Sequence, residues 1–129
     1  MINDEFIPCL QGGVPASIVT CDLDGVPNIT TISQVFQVDE SHIAISNQFF
    51  TKTQSNLESN PNICIQLIHP DTFDTWIMEA KYVRKETTGP TFETMEMQLE
   101  AIASMTGMGE IFKLKAIDIC KILTIQKLD

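Results

Sequence analysis

Hydrophobic and polar positions along this chain change over in short runs separated by turn residues, the pattern of a mainly β protein built from hairpins. Residues Asn3–Leu10 suit a short helix, which Gln11-Gly12-Gly13-Val14-Pro15 breaks. Ala16–Cys21 is short and β-rich and reads as a first strand. Asp22-Leu23-Asp24-Gly25-Val26-Pro27 is turn chemistry, with Gly25 supplying a position that tolerates positive φ. Asn28–Ser33 is the returning strand, and Val35–Val38 continues it past a bulge. Asp39-Glu40-Ser41 turns the chain into a third strand at His42–Ser46.

The next segment changes period. Thr51 followed by Gln54 matches a capping box, in which the hydroxyl accepts from a backbone N–H and the amide reaches back. A short helix is therefore expected from Thr51, stopped by Asn60-Pro61. Asn62–Ile68 is almost continuously apolar and reads as a strand buried on both sides. Thr75–Glu86 is a long strand with Trp76, Met78, Ala80 and Tyr82 on one face and Glu79, Lys81 and Lys85 largely on the other. Pro90 opens the clearest helix, with Phe92, Met95, Leu99, Ile102 and Met105 in an amphipathic stripe and Gly107 as its C-terminal cap. Ile117–Ile125 closes the series. Six short strands and two or three helices favour an antiparallel barrel, which also removes exposed strand edges.

Length and composition narrow the class. The chain has 129 residues, 43% of them hydrophobic, and no linker-like stretch, so residues 1–129 read as a single domain. A net charge of −9 argues against binding nucleic acid or an anionic membrane. No apolar run is long enough to span a bilayer, and the acidic start Met1-Ile2-Asn3-Asp4-Glu5 lacks the basic region of a secretory signal, so a cytoplasmic location is expected. Cys9, Cys21, Cys64 and Cys120 are scattered, without the paired spacing of a zinc site, and read as small apolar residues. Asp22-x-Asp24-Gly25 lacks the later ligands of a calcium loop and reads as a turn. His42 and His69 have no nucleophile at a recognisable spacing.

The cations carry more information. Lys52 is the only Lys or Arg in the first eighty residues. It falls in the first turn of the expected helix, where the helix dipole already places partial positive charge. A lone cation there, beside free backbone N–H groups and the hydroxyls of Thr51 and Thr53, suits an anion such as a phosphate. The alternative is an ordinary solvated lysine in acidic surroundings. Ser46-Asn47-Gln48-Phe49-Phe50 just before it offers polar groups for a heterocycle edge and aromatics for its face, or else a polar turn with two core phenylalanines.

Several stretches, in order, resemble one family. They are Asp24-Gly25-x-Pro27-Asn28-Ile29-Thr30-Thr31-Ile32-Ser33, His42-Ile43-Ala44-Ile45-Ser46, Gln48-Phe49-Phe50-Thr51-Lys52-Thr53 and Asn56-Leu57-x-x-Asn60-Pro61. Further on, Tyr82-x-Arg84-x-Glu86-Thr87-x-Gly89-Pro90-x-Phe92 and Ile102-Ala103-Ser104-x-Thr106-Gly107-Met108 continue the likeness, which runs from about Pro15 to Leu123. Together they resemble the pyridoxamine 5′-phosphate oxidase-related family of FMN-binding split barrels. The resemblance implies a six-stranded antiparallel split β-barrel that works as a homodimer with flavin at the subunit interface. It implies that Lys52 and Thr53 hold the FMN phosphate, with Thr51 beside them among the cofactor-binding residues. It also implies that Thr30, Thr31, Ile32 and Ser33, with Ser46, Asn47, Gln48 and Phe49, contact the ribityl chain and ring. One departure bears on substrate: Thr51-Lys52 stands where an Arg-Lys pair is usual, and no basic cluster marks a second phosphate site, which argues against pyridoxamine phosphate.

Three functions follow from the resemblance: an FMN-dependent oxidoreductase acting on a small molecule, a non-catalytic flavin-binding sensor or carrier, and a split barrel holding haem or a deazaflavin instead. No acid–base pair stands out, so no catalytic residue is assigned; in a flavoenzyme the cofactor supplies the electron chemistry and the protein positions it.

Overall fold

The computed structural model describes residues 2–10, 14–32, 35–47, 52–106 and 114–128. Among these residues the chain forms seven strands and two α-helices. In order they are β1 (Ala16–Cys21), β2 (Pro27–Ile32), β3 (Val35–Gln37), β4 (His42–Asn47), α1 (Lys52–Ser59), β5 (Asn62–Ile68), β6 (Thr75–Glu86), α2 (Pro90–Thr106) and β7 (Ala116–Lys127). A 3₁₀ turn at Ile7–Leu10 precedes them, where a longer helix from Asn3 was expected. Asn3 nonetheless marks the start of that turn, because both its side-chain and backbone oxygens accept from the Phe6 N–H.

All strands join one antiparallel sheet in the order β2-β1-β5-β6-β7-β4-β3. The sheet curls until β2 approaches β4, which is the expected split barrel with one strand more than the six counted. The extra strand is Val35–Gln37. It does not prolong β2 but pairs with β4 at the opposite edge, Val35 facing Ile45 and Gln37 facing Ile43. The run of β-formers is the same in both readings; only long-range pairing decides which neighbour it takes.

The barrel interior is apolar. Ile18, Ile43, Ile45, Ile65, Met78 and Ile122 meet there, and Phe6 closes one side against Trp76 with ring centroids 5.4 Å apart. A second cluster lies outside the barrel wall. Phe92, Met95 and Leu99 of α2 cover Ala44, Ile117 and Ile119. This accounts for β4 and the first half of β7 being buried on both faces. The α2 stripe ends sooner than the sequence suggests, since Met105 is 88% exposed; Gly107 and the side chain of Ile102 lie outside the described residues.

Two further expectations change. β5 is buried on one face only: Ile63, Ile65 and Leu67 point inward, while Asn62 and Gln66 are exposed on the other side. No described helix covers that outer face. In β6, Trp76, Met78 and Ala80 are buried and Tyr82 half-buried as expected. A bulge between Tyr82 and Arg84 then shifts the register, so that Lys85 sits opposite Asp118 and shares its face rather than continuing the line of Glu79 and Lys81.

Candidate functional site

The polar residues gather where α1 meets β1, β2 and the end of β4. Helix α1 is rich in Thr, Ser and Asn, residues with modest helix propensity, and side-chain bonds tie it to the sheet. Asn56 donates from Nδ2 to Thr20 Oγ1 at 3.0 Å, with both groups buried. Asn28 of β2 donates to Thr53 Oγ1 at 3.1 Å. Asn47 at the end of β4 donates to Gln54 Oε1 at 3.0 Å. Leu57 anchors the same face in the barrel core. Gln54 therefore gives its carbonyl to Asn47; Thr51, its expected capping partner, lies outside the described residues.

Lys52 opens α1. Its ammonium is not isolated: Nζ lies 3.9 Å from Asp22 Oδ2, with the lysine side chain 55% exposed. The other oxygen of Asp22 accepts from the Asp24 and Val26 N–H groups, which closes the β1–β2 turn that Gly25 passes through at φ +82°. A half-exposed ion pair at that distance is weak, so Lys52 keeps its ability to meet another anion.

The other candidates separate by face. Thr30 is half-buried on the side of β2 that carries Asn28, whereas Thr31 is exposed on the opposite side. Ile32 belongs to the barrel core. Ser46 and Asn47 are both buried, on opposite faces of β4. The structure thus brings Asn47, Lys52 and Thr53 to one end of the barrel, with Thr30 on the adjoining inner face of β2. Ser33, Gln48, Phe49 and Thr51 lie outside the described residues. The two histidines serve turns: His42 Nδ1 meets Asp39 Oδ1 at 2.9 Å, and His69 Nδ1 accepts from the Asp71 and Thr72 N–H groups.

The residue that sequence reasoning missed is Asp118. It is fully buried, on the inner face of β7 beside Ile45 and Lys85. Its Oδ2 accepts from Asn47 Nδ2 at 3.4 Å, and its Oδ1 has no hydrogen-bond partner. Burial pushes its carboxyl up to about 6, against the pull of the Lys85 ammonium and the Asn47 N–H. Burial, and then the charge of Asp118, raises the Tyr82 phenol. The signal was present in the sequence: a lone acid between apolar neighbours in Ala116-Ile117-Asp118-Ile119-Cys120.

The pyridoxamine 5′-phosphate oxidase family model matches residues 2–117. Among solved structures, an FMN-binding protein of Syntrophomonas wolfei superposes with a TM-score of 0.79 at 18% identity, over 95% of this chain and 82% of that one. The Group A Streptococcus protein HupZ gives 0.76 at 21% identity, over 99% and 94%. HutZ, the haem storage protein of Vibrio cholerae, gives 0.64 at 15% identity, over 95% and 92%. At such identities these likenesses establish the shared fold. No curated protein sequence matches the chain.

Proposed function

This chain belongs to the pyridoxamine 5′-phosphate oxidase family, and we propose that it binds FMN with the phosphate at the start of α1, as a flavin-dependent oxidoreductase working on a small molecule. The observation that carries this reading is the placement of Lys52. The one cation of the first eighty residues opens the helix whose next residue, Thr53, is tethered to β2 through Asn28. A dianionic phosphate there would meet the ammonium, the first helical N–H groups and the Thr53 hydroxyl, which accepts from Asn28 and keeps its own O–H to donate. The residues present fit the group: the ammonium is half-exposed and held only by a long contact to Asp22. FMN, when bound, supplies hydride and single-electron chemistry. Asn28 and Asn47 tie the sheet side of the site to α1 through Thr53 and Gln54.

The same reading takes a homodimer with the flavin between subunits. The support is the outer sheet face, where Ile29 and Leu123 stand exposed in the single chain near an open depression of about 320 Å³ lined by Val19, Cys64 and Leu123 among others.

A haem-holding barrel is the second reading, favoured by the structural likeness to the haem storage protein HutZ. The absorption spectrum of the purified protein titrated with FMN and with haem separates them: flavin bands with saturable quenching support the first, a Soret shift the second. Lys52→Ala tests the phosphate site. It is expected to weaken FMN binding roughly ten- to hundredfold, the range for hydrogen bonds to charged groups, and riboflavin binding far less, since riboflavin has no phosphate. Equal losses for both ligands would refute the assignment.

A further inference from the structure

A chain of hydrogen bonds links the barrel interior to the first turn of α1. Asp118, when ionised, only accepts. Asn47 must then present its NH₂ group, and it uses both hydrogens, one to Asp118 Oδ2 at 3.4 Å and one to Gln54 Oε1 at 3.0 Å. That leaves the Gln54 NH₂ pointing at Glu58, where Nε2 lies 3.5 Å from Oε1. Each link is the only arrangement that pairs donors with acceptors, given a charged Asp118 at one end and a carboxylate at the other. A proton on Asp118 removes that constraint. The acid can then donate, and the Asn47 amide can turn its oxygen toward Asp118 and Gln54. Gln54 could keep the bond to Asn47 only by turning too, which would set its own oxygen against the Glu58 carboxylate, and two acceptors face to face repel. Held by Glu58, Gln54 instead presents its oxygen to that of Asn47, and the first turn of α1 loses a tether to the sheet.

We propose that Asp118 is a positioning residue for the anion-binding turn of α1, acting through Asn47 and Gln54 so that the grip of Lys52 and Thr53 on a phosphate depends on the ionisation of Asp118. This rests on the reading of α1 as the FMN phosphate site. The charged and titratable groups around Asp118 are Lys85 and Tyr82 on β6 and Cys120 on its own strand, with Glu58 on α1 beyond Gln54. From β4 the neighbour is the uncharged Asn47. Lys85 favours the ionised form, and burial opposes it.

The test is the FMN dissociation constant from pH 5 to pH 8, read by flavin fluorescence, for the wild type, Asp118→Asn and Gln54→Ala. The FMN phosphate itself takes up a proton near pH 6, as phosphate monoesters do at about that value, and the two variants carry that common background. Between pH 8 and pH 5 the wild type is expected to lose roughly tenfold more affinity than either variant, the scale of one tether lost. Gln54→Ala changes a half-buried residue on the helix surface and cuts the relay even where Asp118→Asn fails to fold. In the ligand-free wild type, the side-chain amide signals of Asn47 and Gln54 should titrate together by NMR, and in Asp118→Asn they should not. Tight FMN binding at pH 8 with superimposable profiles in all three proteins would overturn the positioning role and leave the cofactor assignment standing. Failure of the wild type to bind FMN at any pH would overturn both.

Discussion

At Asp118 burial alone changes what one side chain does across an ordinary pH range. Its folded-state carboxyl is raised to about 6 from an ordinary 3.8, so the folded protein holds the proton more tightly than the unfolded chain does. The stabilising contribution is therefore complete below about pH 4 and is lost as pH rises through about 6, amounting to about 3 kcal/mol. Asp118→Asn never ionises. Relative to the wild type it is expected to gain stability between pH 4 and pH 7.5, seen as a melting-temperature difference that widens with pH; a constant difference would show that Asp118 is not held in an apolar setting. Asn56 gives the opposite case. Its buried bond to Thr20 joins α1 to β1, and Asn56→Ala strands the Thr20 hydroxyl, which should cost about 1–3 kcal/mol in urea unfolding with the slope unchanged. At this scale the sequence was legible where a residue's own chemistry suffices. Lys52 stood out because charge can be read directly. Its Asp22 neighbour, and the Asn47–Asp118 bond spanning 71 positions, could not be read, because they exist only once strand register is set.

Elements were more legible than their partners. β1 and β6 fall where alternation and turn residues place them, and α2 starts at Pro90 as expected. The exceptions have a common cause. Local pattern alone extends β2 with Val35–Gln37, gives β5 a second buried face and sets Lys85 beside Glu79 and Lys81 on β6, and the structure differs at all three. In each case the local pattern was right and the neighbour, or the bulge, was not encoded locally. The entry to α2 shows how strongly a local signal can act. Gly89 sits at φ +102° with open space where a Cβ would lie, and its carbonyl accepts the Glu93 N–H. Gly89→Ala therefore meets no clash and tests backbone strain alone. It is expected to cost about 1–2 kcal/mol, measured as a shift in the unfolding midpoint, while a change within 0.3 kcal/mol would mean that the turn relaxes to negative φ.

Across the whole molecule, two layers of apolar contact are complete and one face is not. The barrel interior closes on itself, and α2 covers β4 and β7. The outer side of β1, β2, β5 and β6 has no described element over it, and there Ile29 is 70% and Leu123 44% exposed. Leu123 is the extra residue of a β7 bulge, since Glu79 faces Thr124 while Ala80 faces Ile122. The bulge turns an apolar side chain outward into the open depression, an arrangement that costs solvation in a lone chain and gains it back when a second copy covers the face. The net charge of −9 works against self-association, so the dimer we propose must be held by this apolar patch and should tighten with salt as repulsion is screened. Sedimentation equilibrium at micromolar concentration is expected to give twice the chain's 14.4 kDa. Leu123→Lys should shift it toward the single-chain mass and weaken FMN binding with it, because the proposed flavin site lies between subunits. Lys52→Ala should weaken FMN binding with the dimer intact. A wild type that stays monomeric at high salt would sink the dimer, and a monomeric Leu123→Lys that binds FMN undiminished would move the flavin site off the interface and onto one chain.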